Sequence, residues 1–243
     1  MAYKKALTLS IVIPAYNEER YLKKCLQSIM RQEYPVHQII VVNNNSSDST
    51  EHIAKSFAGV TVVGEPRQGI VYARNAGFDA CKGDLICRID ADCILPNSWS
   101  ADIARHYDQL QRPAYVAVTC PSYFTQNSTG FFWYWLHRLL FFWATRVATG
   151  AHTLSGSNMY MTRKLWARVR DDVCERTDIH EDMDLAIHCH LQGAQPIFTT
   201  SFKNTMVGRN VLHKAMYYSL MWWKALLVRH RSLAEESSER YIA

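Results

Sequence analysis

The run Leu9-Ser10-Ile11-Val12-Ile13-Pro14-Ala15-Tyr16-Asn17-Glu18-Glu19 decides the fold. It begins with a β-branched apolar stretch, ended by proline and then by polar residues, which is the pattern of a buried parallel strand closed by a loop. A second such run, Ile39-Ile40-Val41-Val42, is closed by Asn43-Asn44-Asn45-Ser46-Ser47-Asp48. Between the two, Tyr21, Leu22, Cys25, Leu26, Ile29 and Met30 recur at helical spacing, so a helix is expected over 18–31. Downstream the pattern predicts a helix over 47–57, a strand over 60–63, a helix over 68–80 and a strand over 84–89 that leads into Asp90-Ala91-Asp92. Strand and helix alternate throughout this half, an order that makes an α/β fold with a mostly parallel central sheet flanked by helices. Ligands of such sheets bind beyond the carboxyl ends of the strands, so the informative loops follow residues 13, 42 and 89.

The whole chain has 243 residues, 48% apolar, 20% charged and 12% aromatic, a balance that supports a sizeable core and excludes disorder, collagen and a disulfide miniprotein. One domain over 1–234 is expected, followed by a tail over 235–243 that opens with the charged stretch Glu235 to Arg240. The net charge of +5 is a mild excess, compatible with phosphate or an anionic membrane surface but too small to indicate nucleic acid. Seven scattered cysteines with no C-x-x-C pair fit a reducing compartment and unpaired thiols. The first apolar stretch is strand-sized and broken by Pro14, unlike a secretory signal, so the expected location is the cytoplasm.

Two acidic groups carry chemistry. Asp90 and Asp92 stand one residue apart at a strand end, where both carboxylates can reach a hard divalent cation, Mg²⁺ or Mn²⁺, shared with a diphosphate. The plainer alternative is a polar turn with a helix cap. Downstream, Asp178-Ile179-His180-Glu181-Asp182-Met183-Asp184 opens an apolar helix that Gly193 ends, an acidic first turn that the helix macrodipole favours. These carboxylates either stabilise the helix start alone or include a fixed general base.

Five segments in order carry a resemblance. Ile13-Pro14-Ala15-Tyr16-Asn17-Glu18-Glu19, Val41 to Thr50, Ala73-Arg74-Asn75-Ala76-Gly77, Asp90-Ala91-Asp92 and Glu181-Asp182-Met183-Asp184-Leu185 resemble the ordered motifs of family 2 glycosyltransferases, nucleotide-sugar enzymes of the GT-A (Rossmann-like) fold. The match runs over about residues 8–95 and again 154–195. It implies a nucleotide-sugar-binding half over 1–100 and an acceptor-binding half over 101–234. Ala15, Tyr16 and Glu18 would lie along the nucleoside and Arg74 near the nucleotide, while Asp90, Ala91 and Asp92 would serve ribose, metal and diphosphate. Asp182 would be the base that deprotonates the acceptor hydroxyl, with His180 and Glu181 positioning that acceptor. Ser155-Gly156-Ser157-Asn158 matches the loop that usually precedes the acidic helix, so Gly156 and Ser157 would touch sugar or acceptor. A metal on the departing diphosphate and a base on the attacking hydroxyl divide the labour of a single displacement, and the resemblance implies inversion at the anomeric carbon.

The chain departs from the family pattern at Asn43 and Asn44, where aspartate is usual. A carboxamide both donates and accepts, which matches the adjacent N–H and carbonyl of uracil, so a UDP-sugar donor is favoured over a GDP-sugar.

The acceptor half contains an unusual stretch, Phe131 to Ala144 (FFWYWLHRLLFFWA), in which twelve of fourteen residues are apolar and eight are aromatic. A second, Met216 to Val228, is flanked by Lys214, Arg229, His230 and Arg231. Both are too short or interrupted to span a bilayer, which needs about 20 apolar residues. One reading makes them amphipathic helices lying on the cytoplasmic face of a membrane, with a lipid or lipid-linked glycan as acceptor. The other makes them core or subunit-contact helices. His188, Cys189 and His190 point in different directions on a helix and are expected in core or surface positions rather than at a metal.

Other functions fit less well. A sugar-nucleotide pyrophosphorylase needs a Gly-rich basic loop where Pro14 to Glu18 stands, and a glycoside hydrolase needs two carboxylates but no nucleotide site. A degenerate homologue that binds a membrane or partner has the two asparagine replacements in its favour and Asp90, Asp92 and Asp182 against it.

Overall fold

Strand β1 (Leu9–Ala15) is the axis of the sheet, with β2 (Gln38–Asn43) and β4 (Leu85–Arg88) parallel to it on either side. The computed structural model describes residues 6–124, 146 and 152–206, so the aromatic stretches over 131–144 and 216–228, and the tail, lie outside the described residues. Strand β3 (Val60–Gly64) extends the sheet beyond β2, while β8 (Met159–Thr162) pairs antiparallel with β4. Strands β6 (Ala117–Thr119) and β9 (Ile197–Phe198) complete the order β3-β2-β1-β4-β8-β6-β9. A smaller sheet, in the order β5-β10-β7, joins β5 (Cys93–Ile94), β10 (Asn204–Met206) and β7 (Ser122–Phe124).

Alternation along the strands divides the core into two layers. Leu9, Ile11, Ile13 and Val41 face α1 (Leu22–Ile29) and α4 (Trp99–Gln109), packing on Leu22, Leu26, Ile29, Trp99 and Ile103. Val12, Ile40, Val42 and Ile86 face the opposite way, towards α3 (Ile70–Asp79), α5 (Arg163–Val169) and α6 (Glu181–Leu191), and meet Phe78, Leu165, Trp166 and Leu185. Helix α2 (Thr50–Lys55) follows β2. The expected alternation of strand and helix is therefore present, with helices shorter than their apolar patterns; α1, for instance, starts at Leu22 because Glu18 to Tyr21 form the turn that feeds it.

Pro14 does not end β1 as its sequence position suggests. It pairs in register with Val42, and the strand continues to Ala15. Ala15 and Leu9 turn their carbonyls to β2 while Val12 turns its carbonyl to β4, so Pro14 presents its missing N–H on the β4 side, beyond the last β1–β4 pair, Val12 with Arg88. No ladder bond is lost there, which is the condition for proline inside a sheet.

The connection from β3 through α3 crosses β2 and β1 to reach β4, so strand order reverses between β1 and β4. Their carboxyl ends carry Tyr16 to Glu18 and Asp90 to Asp92, placing both segments at the crevice where sheets of this kind bind ligands. Among the described residues, no helix is long and apolar enough to cross a membrane.

Candidate active site

The loops after β1 and β2 are braced against each other. Asn17 accepts from the Ser47 N–H at 2.9 Å and its own N–H donates to Ser46 Oγ at 3.1 Å. The Glu18 N–H donates to Thr50 Oγ1 at 2.7 Å, and Asp48 accepts from the Glu19 N–H at 3.1 Å. This lattice fixes a ledge at the strand ends on which Ala15 is buried, Glu18 is half-buried and Tyr16 is 52% exposed, leaving the Tyr16 ring on the surface beside the crevice.

Asn43 and Asn44 are part of the brace. Asn44 is 3% exposed; its amide donates to the carbonyls of Glu65 at 2.9 Å and Arg67 at 2.7 Å, and its oxygen accepts from the Gly69 N–H at 2.9 Å. Asn43 donates to Glu51 Oε2 at 3.1 Å and accepts from the Ser46 N–H at 3.2 Å. Both carboxamides thus take part in loop structure, Asn44 with its oxygen and both amide hydrogens and Asn43 with one bond given and one accepted.

Asp90 and Asp92 follow β4 on one turn. The Asp90 side chain is 38% exposed, whereas Asp92 is buried, so the pair presents one open and one enclosed carboxylate. Two carboxylates in this arrangement fit a hard divalent cation whose remaining ligands come from water and phosphate oxygens.

A chain of buried ion pairs leads from this turn to the start of α6. Arg88, the last residue of β4, donates through Nη1 to Glu181 Oε1 at 2.7 Å and to Asp182 Oδ1 at 2.8 Å, while its Nη2 lies 3.9 Å from Asp90 Oδ1. Arg74 is fully buried and reaches the other Glu181 oxygen at 2.8 Å and the Glu181 carbonyl at 2.7 Å. The second Asp182 oxygen accepts from the Gly156 N–H at 2.7 Å. Gly156 is required for this approach, because a Cβ there would come within 2.2 Å of Arg88 Cζ.

The charges follow from these contacts. Burial opposes the Asp182 carboxylate, but Arg88, His180 and the Gly156 N–H outweigh it and hold its pKa below the ordinary range. Burial pushes the neighbouring Glu181 carboxyl up, against the pull of Arg88 and Arg74. The two neighbouring carboxyls are thus shifted in opposite directions, Glu181 up and Asp182 down. Burial works against the Arg88 charge too, yet Glu181, Asp182 and Asp90 together raise its pKa.

Several expected site residues consequently act at one remove. Arg74 has no exposed surface to offer a nucleotide and instead anchors α6. Glu181 bridges two arginines and is 7% exposed, held beside Asp182 at the start of α6. Gly156 serves Asp182 through its N–H, and Ser157 is buried among hydroxyls, 2.9 Å from Ser122 Oγ and 3.0 Å from Ser155 Oγ. His180 forms the N-cap position of α6, half-buried beside Asp182. Asp184 accepts the Cys174 N–H at 2.9 Å and pairs with His188 at 3.4 Å, and His188 and Cys189 are both buried, as core positions should be.

Arg88 is the residue that the sequence reading missed. Its signal was present: an arginine inside the apolar run Leu85-Ile86-Cys87-Arg88-Ile89, two positions before a paired aspartate. A guanidinium in a buried central strand requires anions around it.

An α/β sheet whose order reverses beside paired aspartates, with a buried carboxylate on a neighbouring helix start, defines the GT-A class of fold. The mannosyltransferase PcManGT of Pyrobaculum calidifontis, solved with GDP-Man and Mn²⁺, superposes with a TM-score of 0.63 at 22% identity over 83% of this chain and 57% of that one. Glucosyl-3-phosphoglycerate synthase of Mycobacterium tuberculosis, solved with Mn²⁺, UDP and phosphoglyceric acid, gives 0.62 at 21% identity over 92% of this chain and 78% of that one. The model of the glycosyl transferase family 2 matches residues 10–174, and the chain belongs to that family. The glycosyltransferase AglE of Haloferax volcanii is 33% identical over 98 residues, which are 37% of this chain and 32% of AglE. The chain thus spans about a third of the length of that relative.

Proposed function

We propose that the chain is an inverting, metal-dependent glycosyltransferase that moves a sugar from a nucleoside diphosphate to an acceptor hydroxyl. The observation that carries this reading is the Asp182 carboxylate, buried yet held ionised by Arg88 and the Gly156 N–H, and linked through Arg88 to Asp90. Each Asp182 oxygen accepts one of these bonds and keeps a further lone pair, so the carboxylate can be fixed and still take a proton. In the proposed step the acceptor hydroxyl gives its proton to Asp182, its oxygen bonds to the anomeric carbon, and the bond from that carbon to the diphosphate breaks on the opposite face. Mg²⁺ or Mn²⁺ on Asp90 and Asp92 would supply charge neutralisation for the departing diphosphate. Tyr16 and Glu18, on the braced ledge, would border the nucleoside.

The donor in this reading is a UDP-sugar, with a GDP-sugar as the alternative; one structural neighbour carries GDP-Man and another UDP. A lipid or lipid-linked glycan acceptor at a membrane surface rests on the aromatic and basic sequence over 131–144 and 216–228. Calorimetric titration with UDP and with GDP, each with and without Mn²⁺, tests the donor site. Metal-dependent binding of one nucleotide supports the reading, and no binding of either to folded, metal-replete protein refutes it. Asp182→Asn tests the base: donor binding should persist and transfer should disappear.

A further inference from the structure

The buried guanidinium at the end of β4 belongs to neither the donor nor the acceptor residues that the sequence motifs single out, yet it touches both sides of the site. Arg88 contacts Asp182 and Glu181 at 2.8 and 2.7 Å and stands 3.9 Å from Asp90, while being only 3% exposed. We propose that Arg88 is the positioning residue of the transfer reaction, setting the place and orientation of Asp182 relative to the donor aspartates. The inference rests on the reading of Asp182 as the base.

Three features argue for positioning beyond charge balance. First, Arg88 and Asp90 are two residues apart on the end of one central strand, so the guanidinium ties the base on α6 to the strand that delivers the donor carboxylates. Second, the contact is two-sided: Arg88 holds one Asp182 oxygen and the Gly156 N–H holds the other at 2.7 Å, which fixes the carboxylate plane as well as its location. Third, the surroundings are shaped for a guanidinium, since Gly156 leaves only the space of a hydrogen where a methyl would fall 2.2 Å from Arg88 Cζ. Lysine cannot substitute fully, because Arg88 spreads its charge over two terminal nitrogens, Nη1 between Glu181 and Asp182 and Nη2 3.9 Å from Asp90, and a single ammonium cannot hold both places. Without the guanidinium, adjacent Glu181 and Asp182 repel each other in a buried space and the start of α6 shifts. Misplacement of a catalytic group by about 1 Å is enough to cost about 10²-fold in rate.

The test uses the full chain with Mn²⁺, measuring UDP and GDP affinity by calorimetry and turnover as nucleoside diphosphate released from UDP-glucose or GDP-mannose. Arg88→Met should lower kcat by about 10²-fold or more while the nucleotide Kd stays within about threefold. Arg88→Lys should recover about a tenth of the lost rate, through charge without the fork. Gly156→Ala, which keeps the arginine and displaces it, should show the same loss in kcat at unchanged nucleotide affinity. If Arg88→Met fails to fold, Arg88→Lys and Gly156→Ala decide the matter by the same split. Wild-type kcat in folded Arg88→Met or in Gly156→Ala overturns the inference, as does a parallel loss of kcat and nucleotide affinity. Asp182→Asn separates the two ideas: full turnover in that variant removes the base itself, whereas an inactive Asp182→Asn beside a fully active Arg88→Met removes only the role of Arg88.

Discussion

Asn44 accepts the Gly69 N–H at 2.9 Å while donating to the Glu65 and Arg67 carbonyls, so a single side chain closes the loop between β3 and α3 against the end of β2. Family members usually carry aspartate in this loop, but here a carboxylate would place two negative oxygens where one must face two carbonyls. Asn44→Asp should therefore destabilise the protein by about 2–4 kcal/mol, from an unpaired buried charge and two abandoned carbonyls. Urea unfolding at neutral pH checks this. A variant as stable as the parent would mean that the loop can rearrange to expose the position to a ligand.

Gly77 brings α3 close to the sheet. A methyl there would lie 2.3 Å from Val12 Cγ1 and 2.9 Å from Val42 Cγ2, both on stiff β-branched side chains in central strands. Helix propensity alone would favour alanine by about 1 kcal/mol, but overpacking costs about 1–3 kcal/mol and should win. Gly77→Ala is expected to lower the unfolding midpoint, and a raised midpoint would show that α3 is free to move off the sheet.

What was legible in the sequence was what repeats. Leu9 to Ile13 and Ile39 to Val42 announced buried strands because every second residue meets a helix layer, and Gly193 announced the end of α6. The ends of elements were less legible: Pro14 continues β1 because its neighbour β4 has already stopped, a fact about pairing that no local pattern contains. In the site, Asp90, Asp92 and Asp182 were visible as carboxylates at a strand end and a helix start. Their partners were not, because Arg88 and Glu181 are 93 residues apart and Gly156 and Asp182 are 26 apart, so only the fold reveals that they meet. Arg74, Glu181 and Asn44 stand in the motifs as candidate site residues, and long-range contacts that no local pattern contains turn all three inward.

The thiols give a test of burial that needs no assay of function. None of the seven cysteines is in a disulfide; six are buried, and Cys174 is half-exposed. Burial pushes the Cys81 and Cys189 thiols up to about 12 and raises Cys25, Cys87 and Cys93 as well. The reactive species is the thiolate, so these groups are closed to attack by access and by protonation. An aromatic disulfide reagent at neutral pH should release one equivalent from the folded chain, lost in Cys174→Ser, and seven after denaturation. Fast release of two or more from the folded chain would mean that one of the helix layers opens readily.

The pH dependence of transfer should carry the mark of Arg88 on Asp182. The Asp182 pKa is lowered in the folded protein, against burial, by Arg88, His180 and the Gly156 N–H. The folded state thus binds this proton less tightly than the unfolded chain does. The resulting stability is fully present above the ordinary aspartate range and is lost as pH falls through the lowered value. The same sign governs the base: its carboxylate form persists as pH falls, so kcat should stay level from about pH 7 to about pH 5 and show no acid limb in the ordinary carboxylate range. Turnover measured across that interval, with nucleotide and Mn²⁺ saturating at each pH, checks the expectation. A single-proton fall in kcat centred near neutral pH would take the proton transfer away from Asp182.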